Sequence, residues 1–156
     1  MHKILIFSDT HGSIDDCIDI INSEKSLDAV IHAGDCARDA EDLISIFPDI
    51  PIHYVSGNND WYTSAPLDLL LKIGGKNIFV THGHEYKVKY EYNLKTLSNK
   101  ANQHNADLVI FGHTHKPQTE YIGKMILLNP GSVRFTRTYA EAVIDGNEIK
   151  TRIAEI

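Results

Sequence analysis

"KILIFSDTHGSIDDCIDIINSEKSLDAVIHAGD", residues 3–35, decides the fold. It begins as a short apolar run that stops at polar residues, the pattern of a buried strand. After it, Ile14, Cys17, Ile18 and Ile21 fall at i, i+3, i+4 and i+7, which puts an apolar stripe on one helical face. Ser13 is placed to cap that helix. "DAVIHAGD" (28–35) then reads as a second strand. Parallel neighbours cannot be joined by a tight turn, so strand–helix–strand in so short a span reads as a helical crossover. The pattern repeats: "ARDAEDLISIF" (37–47) is a second helix, ended by Pro48, and "PIHYVSGNND" (51–60) is a third strand with its loop.

Beyond residue 60 the periodicity changes. "LDLLLKI" (67–73) and "KNIFVTHG" (76–83) flank Gly74-Gly75 and read as a hairpin. "EYNLKTLSNKANQHN" (91–105) reads as a helix with Leu94, Leu97 and Ala101 on one face. "ADLVIFGH" (106–113) returns to strand, followed by "QTEYI", "KMILLN", "TYAEAVI" and "EIKTRIA", the last two separated by the tight-turn pair Asp145-Gly146. Parallel strands first and hairpins later imply an α/β fold of two packed sheets with helices outside.

The chain has 156 residues, the size of one domain, and is 42% apolar with a net charge of −6. That charge argues against tight nucleic-acid binding, which needs a basic face. No apolar run approaches the ~18 residues of a membrane span. The N-terminal run is too short for a signal peptide, so a cytoplasmic protein is expected. Cys17 and Cys36 lack CxxC spacing and are expected to be free thiols.

The polar residues of chemical interest share one location. Asp9 and His11 follow the first strand, Asp35 the second and Asn58 the third; His82 follows a hairpin strand, and His113 and His115 follow "DLVIF". Ligands of open α/β sheets bind at the carboxyl ends of strands. Carboxylate, amide and imidazole without thiolate suit first-row divalent ions such as manganese, iron, cobalt, nickel or zinc better than calcium. Seven donors are too many for one tetrahedral ion and about right for two octahedral ions sharing a carboxylate.

"DTHG" (9–12), "GD" (34–35), "GNND" (57–60), "THGH" (81–84) and "GHTH" (112–115), with "NPGS" (129–132), occur in the order seen in calcineurin-like metallophosphoesterases. The chain resembles the small bacterial and archaeal phosphodiesterases of that superfamily along nearly its whole length. The resemblance implies one metallophosphoesterase domain over residues 1–156, a sandwich of two mixed β-sheets flanked by helices. It implies two divalent ions, manganese first among them. Asp9, His11 and His115 would hold one, Asn58, His82 and His113 the other, and Asp35 would bridge them. A shared hydroxide would attack a small phosphodiester. Two divalent ions offset by Asp9, Asp35 and hydroxide leave roughly +1, which suits a diester monoanion.

Many members carry "GNH" where this chain has Asn59. An amide can donate a hydrogen bond but cannot deliver a proton at neutral pH. Asn59 is therefore expected to position phosphate, and His84 to stand behind the ligands or supply the proton. Asp60 is expected to orient a histidine ligand. Pro130-Gly131 suits a type II turn near the site, and Arg134 or Arg137 after it is a candidate phosphate ligand.

Several residues have plainer readings. His2, His32, His53 and His104 are expected to be ordinary surface or core histidines, and Cys36 a packed small residue. Trp61 and Tyr62 either wall the pocket or pack their loop, and "EYKVKYEY" (85–92) is by default a solvated face. Competing functions are a protein-binding scaffold of the same fold, a phosphomonoesterase and a phosphoprotein phosphatase. The "LDLLLKI" hairpin is a candidate interface between copies of the chain, and buried core explains it equally well.

Overall fold

A computed structural model describes residues 1–156. Strands β1 (His2–Phe7), β2 (Ala29–His32) and β3 (Ile52–Tyr54) alternate with helices α1 (Ile14–Ser23) and α2 (Ala37–Ile46). The hairpin β4 (Asp68–Ile73) and β5 (Lys76–Thr81) follows, then helix α3 (Lys95–Gln103), β6 (Leu108–Ile110), β7 (Gln118–Ile122), β8 (Met125–Asn129), β9 (Thr138–Asp145) and β10 (Glu148–Glu155). They form two five-stranded sheets, ordered β10-β9-β1-β2-β3 and β4-β5-β6-β8-β7. Both are mixed: β1, β2 and β3 run parallel, as do β5, β6 and β8, while β9 and β7 pair antiparallel. The expected two-sheet sandwich with outer helices is the observed fold.

Strand alternation builds three apolar layers. Ile4 and Ile6 of β1 point inward with Ile78, Leu108 and Leu128 to fill the space between the sheets. Leu5 and Phe7 point outward against Cys17 and Ile21 of α1 and Leu43 of α2. On the other side Phe79, Val109 and Leu127 pack against Leu97 and Ala101 of α3. The central strands are buried on both faces, which is why they read as continuous apolar runs.

Two local expectations change. Ser13 occupies the N-terminal boundary of α1, but its side chain makes no capping bond. Its backbone N–H instead bonds Thr10 O, so the turn is closed by main chain. Helix α3 starts at Lys95 rather than near Glu91. Residues 84–86 form a 3₁₀ turn, and Lys87 and Leu94 adopt positive φ, which ends any helical run before Lys95. The Glu91 carboxylate then accepts the N–H of Thr96 and serves as the cap.

Both sheets present the carboxyl ends of their parallel strands at the same edge. Backbone bonds stitch the loops there: Asp9 N to Gly34 O (3.0 Å), Gly112 N to His82 O (3.0 Å) and Val133 N to Ser8 O (3.1 Å).

Candidate metal centre

Asp9 sits directly beyond β1, 0% exposed. Ser8 Oγ donates to its Oδ2 at 2.5 Å and the backbone N–H of His113 approaches the same oxygen at 3.3 Å, so Oδ1 is the oxygen left facing the site. His115 Nε2 lies 3.1 Å from that Oδ1, and His82 Nε2 lies 3.9 Å from it. Asp35, beyond β2, turns its oxygens in two directions. Oδ2 faces His11 Nε2 at 3.8 Å, and Oδ1 faces His82 Nε2 at 3.4 Å. Two donor sets result, Asp9–His11–His115 and Asp9–Asp35–His82, the atoms of each within 4.8 Å of one another.

The His82 imidazole is pre-set as a lone-pair donor. His82 Nδ1 lies 2.7 Å from Ala33 O, a group that only accepts, so Nδ1 carries the proton and Nε2 is free. Asn58 Oδ1 is 3.1 Å from that Nε2. Nε2 of His11 is buried without any hydrogen-bond partner. Acceptors crowded together with an orphaned nitrogen among them are what a cation satisfies, so these residues fit divalent metal. Burial pushes the His113 imidazole down to about 4, helped by neighbouring His82, and lowers that of His115 too, with His11 adding to it. Both are neutral at pH 7, as ligation requires. Burial pushes the Asp9 carboxyl above the ordinary carboxylate range, against the pull of His82 and the Ser8 bond. For Asp35 burial also acts upward, but the neighbouring His82 and the two Asn59 bonds outweigh it and leave that carboxyl below its ordinary value.

The backbone carries its own signal. Asp9, His11, Asp35, His113 and His115 all adopt positive φ, between 41° and 68°. Non-glycine residues in that region cost about 1 kcal/mol or more each and cluster where function requires them. In "GHTH" this coiling also makes the two imidazoles diverge. His113 packs edge-on against His82 with ring centroids 5.1 Å apart, while His115 turns to Asp9 and His11.

Glycines admit this crowding. A Cβ on Gly57 would lie 2.0 Å from Asp35 Oδ1, and one on Gly112 would lie 2.1 Å from Ser8 Oγ.

A family model for the calcineurin-like phosphoesterase superfamily domain matches residues 2–148. The chain belongs to that superfamily. The "Probable metallophosphoesterase YsnB" of Bacillus subtilis is 34% identical over 137 residues, covering 86% of this chain and 77% of that protein. "Phosphodiesterase MJ0936" of Methanocaldococcus jannaschii is 31% identical over 148 residues, 83% of this chain and 82% of that one. The crystal structure of a conserved protein from Streptococcus pneumoniae, described as a predicted phosphoesterase, superposes with a TM-score of 0.83 at 30% identity. That likeness covers 99% of this chain and 89% of that one.

Within this phosphoesterase the flanking residues depart from expectation in instructive ways. Asp60 makes no hydrogen bond to a histidine. Its Oδ1 accepts the N–H groups of Cys36 and Ala37, and its Oδ2 those of Gly57 and Asp35. It closes the start of α2 from a neighbouring loop and fixes the Asp35 backbone, because Cys36 at that boundary offers no capping side chain. Arg137 is committed elsewhere, since its guanidinium forks onto Asp16 of α1 (2.5 and 3.1 Å). Arg134 is exposed, and no salt bridge holds it. Asn59 donates from Nδ2 to Asp35 Oδ2 at 2.7 Å and from its backbone to Oδ1 at 3.1 Å. His84 stands beside His82 and His113, centroids 5.5 and 6.1 Å away, with its buried Nδ1 unpartnered. Trp61 and Tyr62 are exposed and line, with Arg38, a cavity of about 330 Å³ next to Asn59.

His32 is a core histidine, yet not an idle one. Gly34 N–H donates to its Nδ1 (3.2 Å), its Nε2–H donates to Thr10 Oγ1 (2.9 Å), and Thr10 donates on to Asp39 Oδ2 (2.6 Å). Gly12 N–H completes the chain on Asp39 (2.8 Å). The relay ties the Asp9–His11 loop to the Asp35 loop, and burial holds the His32 imidazole down to about 4. Phe135 was not singled out by sequence either. Its ring stacks on His115 at 5.1 Å and lies 5.3 Å from His11. "NPGS" does lie beside the site: Gly131 takes φ +77°, Asn129 Nδ2 donates to Gly112 O and Thr114 Oγ1, and Ser132 Oγ donates to Asp9 O. Only the small polar residues of that motif hinted at such bracing.

Proposed function

We propose that this chain is a phosphodiesterase acting on small phosphodiesters with two divalent ions, manganese first among the candidates. Asp9, His11 and His115 would hold one ion, Asn58, His82 and His113 would hold the other, and Asp35 would contribute to both. The observation that carries the reading is Asp35, whose Oδ2 turns to His11 and whose Oδ1 turns to His82. When bound, such ions lower the pKa of water and offset charge on the phosphate. The chain occupies one domain over residues 1–156, and its free thiols support a reducing cytoplasm. No helix is long and apolar enough to cross a membrane.

The chain's own residues divide the remaining work. Asp60 and the His32–Thr10–Asp39 relay keep the two carboxylate loops in register. Asn59 releases Asp35 Oδ2 and turns its amide to a phosphate oxygen. It orients phosphate and delivers no proton. His84, adjacent to the ligands and with a free ring nitrogen, gives the proton to the leaving oxygen. The diester assignment draws support from relatives such as MJ0936 that are named phosphodiesterases.

The test combines metal content with hydrolysis of bis(p-nitrophenyl) phosphate and p-nitrophenyl phosphate, with manganese added or chelated. The diester is expected to be cleaved faster, and Asp35→Asn is expected to abolish turnover and metal uptake together. A metal-free protein inactive under all conditions would favour the scaffold reading, and preference for the monoester would overturn the diester assignment.

A further inference from the structure

A cavity of about 630 Å³ opens beside the histidine loop and has no part in the chemistry above. Thr114, between His113 and His115, forms its near wall with Lys116, and Val88, Lys89, Tyr90 and Tyr92 form another part. Its volume is in the range that encloses an organic ligand of metabolite size. A phosphate held on the metal ligands would leave it vacant.

Its charges are unbalanced where it meets the site. Neither Lys89 nor Lys116 has a carboxylate at ion-pair distance, whereas Lys76 and Lys150 each have one and Lys3 has two. Lys89 is close enough to His113 and His115 for its charge to act on both imidazoles. Two glutamates also line the cavity. The carboxylate of Glu91 is spent on Thr96, accepting its N–H and its hydroxyl. Glu120 lies in the middle of β7, four residues beyond Lys116 in the chain. Free positive charge is therefore concentrated next to the reacting centre. Tyr90 (87% exposed) and Tyr92 (100% exposed) add aromatic surface that no protein side chain covers.

We propose that this cavity takes one arm of the substrate, and that the arm carries a second anion, a carboxylate or a phosphate, met by Lys89 and Lys116. The proposal rests on the diesterase reading for the reacting phosphate. The rings of Tyr90 and Tyr92 cover the organic part of the arm. Exposed ammonium–anion contacts are individually modest, so the pair is expected to favour an anionic arm by about five- to tenfold at low salt.

The experiment uses uncleavable phosphonate analogues that differ only at the arm's end: carboxylate, phosphate or neutral carboxamide. Each is titrated calorimetrically into the manganese-loaded protein at low and high salt. The wild type is expected to bind the anionic arms about five- to tenfold more tightly than the carboxamide, and the advantage is expected to shrink as salt screens it. The ratio between carboxylate and phosphate identifies which anion the cavity prefers. Lys89→Gln/Lys116→Gln is expected to level the three, and Lys89→Arg/Lys116→Arg to retain the preference, with melting temperatures checking that both variants fold. Equal affinities in the wild type, no binding of any analogue, or a preference surviving in the glutamine variant overturns the proposal. Hydrolysis of bis(p-nitrophenyl) phosphate by the wild type, run alongside, keeps the two readings apart. Cleavage without an arm preference removes only the cavity's role, and an arm preference without cleavage removes only the diesterase assignment.

Discussion

Gly57→Ala adds one methyl group at the point where the carboxylate loops touch. The new Cβ would lie 2.0 Å from Asp35 Oδ1 and 2.5 Å from Asp35 N, and ordinary contact begins near 3.4 Å. Something must therefore move by about 1.4 Å. Moving the carboxylate alone does not relieve the clash, because Asp35 N at 2.5 Å is also far inside contact distance and is held by Asp60 Oδ2 at 3.1 Å. Gly57 is not at positive φ, so the penalty is contact rather than backbone preference. Overpacking of this kind costs about 1–3 kcal/mol of stability. A shift of about 1 Å in a positioned reacting group costs on the order of 100-fold in rate. Urea unfolding should thus report a moderate loss, while kcat on bis(p-nitrophenyl) phosphate falls about 100-fold and metal uptake weakens. Gly146→Ala is the control: it sits at φ +58° with nothing within 4 Å of the added Cβ, so it should lose about 1 kcal/mol and keep full activity. Gly57→Ala with wild-type kcat and metal content would refute the placement of Asp35 at the centre of the site.

Asp60→Ala strands four N–H groups and should destabilise the fold by about 2–4 kcal/mol while slowing turnover, read by urea unfolding and diester hydrolysis. His32, held neutral in the fold down to about pH 4, makes stability depend on pH. Between about 6.5 and 4 the unfolded chain binds a proton that the folded chain does not, so stability falls as pH falls through that window, by roughly 3 kcal/mol in all. Unfolding of chelator-treated protein at pH 7 and 4.5 should show a smaller drop for His32→Gln than for wild type, and equal drops would discount the relay. Asn59→His should raise turnover of diesters with poor leaving groups, and His84→Ala should lower it on those more than on aryl esters; no change in either ends the proton-donor assignment. Arg137→Ala should leave kcat unchanged and lose less than about 1 kcal/mol of stability, since its exposed fork on Asp16 is a surface pair.

The elements were legible wherever one period dominated. Ile4, Ile6 and Leu5, Phe7 alternate between two apolar layers, so β1 reads as an apolar run from sequence alone. Helix α3 was misplaced at its start because "EYKVKYEY" carries no period, and neither Lys87 nor Leu94 is a residue type that announces positive φ. The seven metal-capable residues were legible because each follows a strand. Their mutual distances were not. The bonds of Asp60 were misjudged, and the relay through His32, a core histidine as expected, went unseen, for the same reason: their partners, Ala37 and Thr10, lie 23 and 22 residues away.

The sequence by itself determined the strand–helix order, the chemical character of the site and the superfamily, since these follow from local periodicity and from motifs a few residues long. Only the tertiary structure decided which oxygen of Asp9 is free, that Asp35 looks both ways, and that Lys89 and Lys116 face one cavity. Those depend on loops from two sheets meeting at a common edge, and on glycines that let them meet within van der Waals contact.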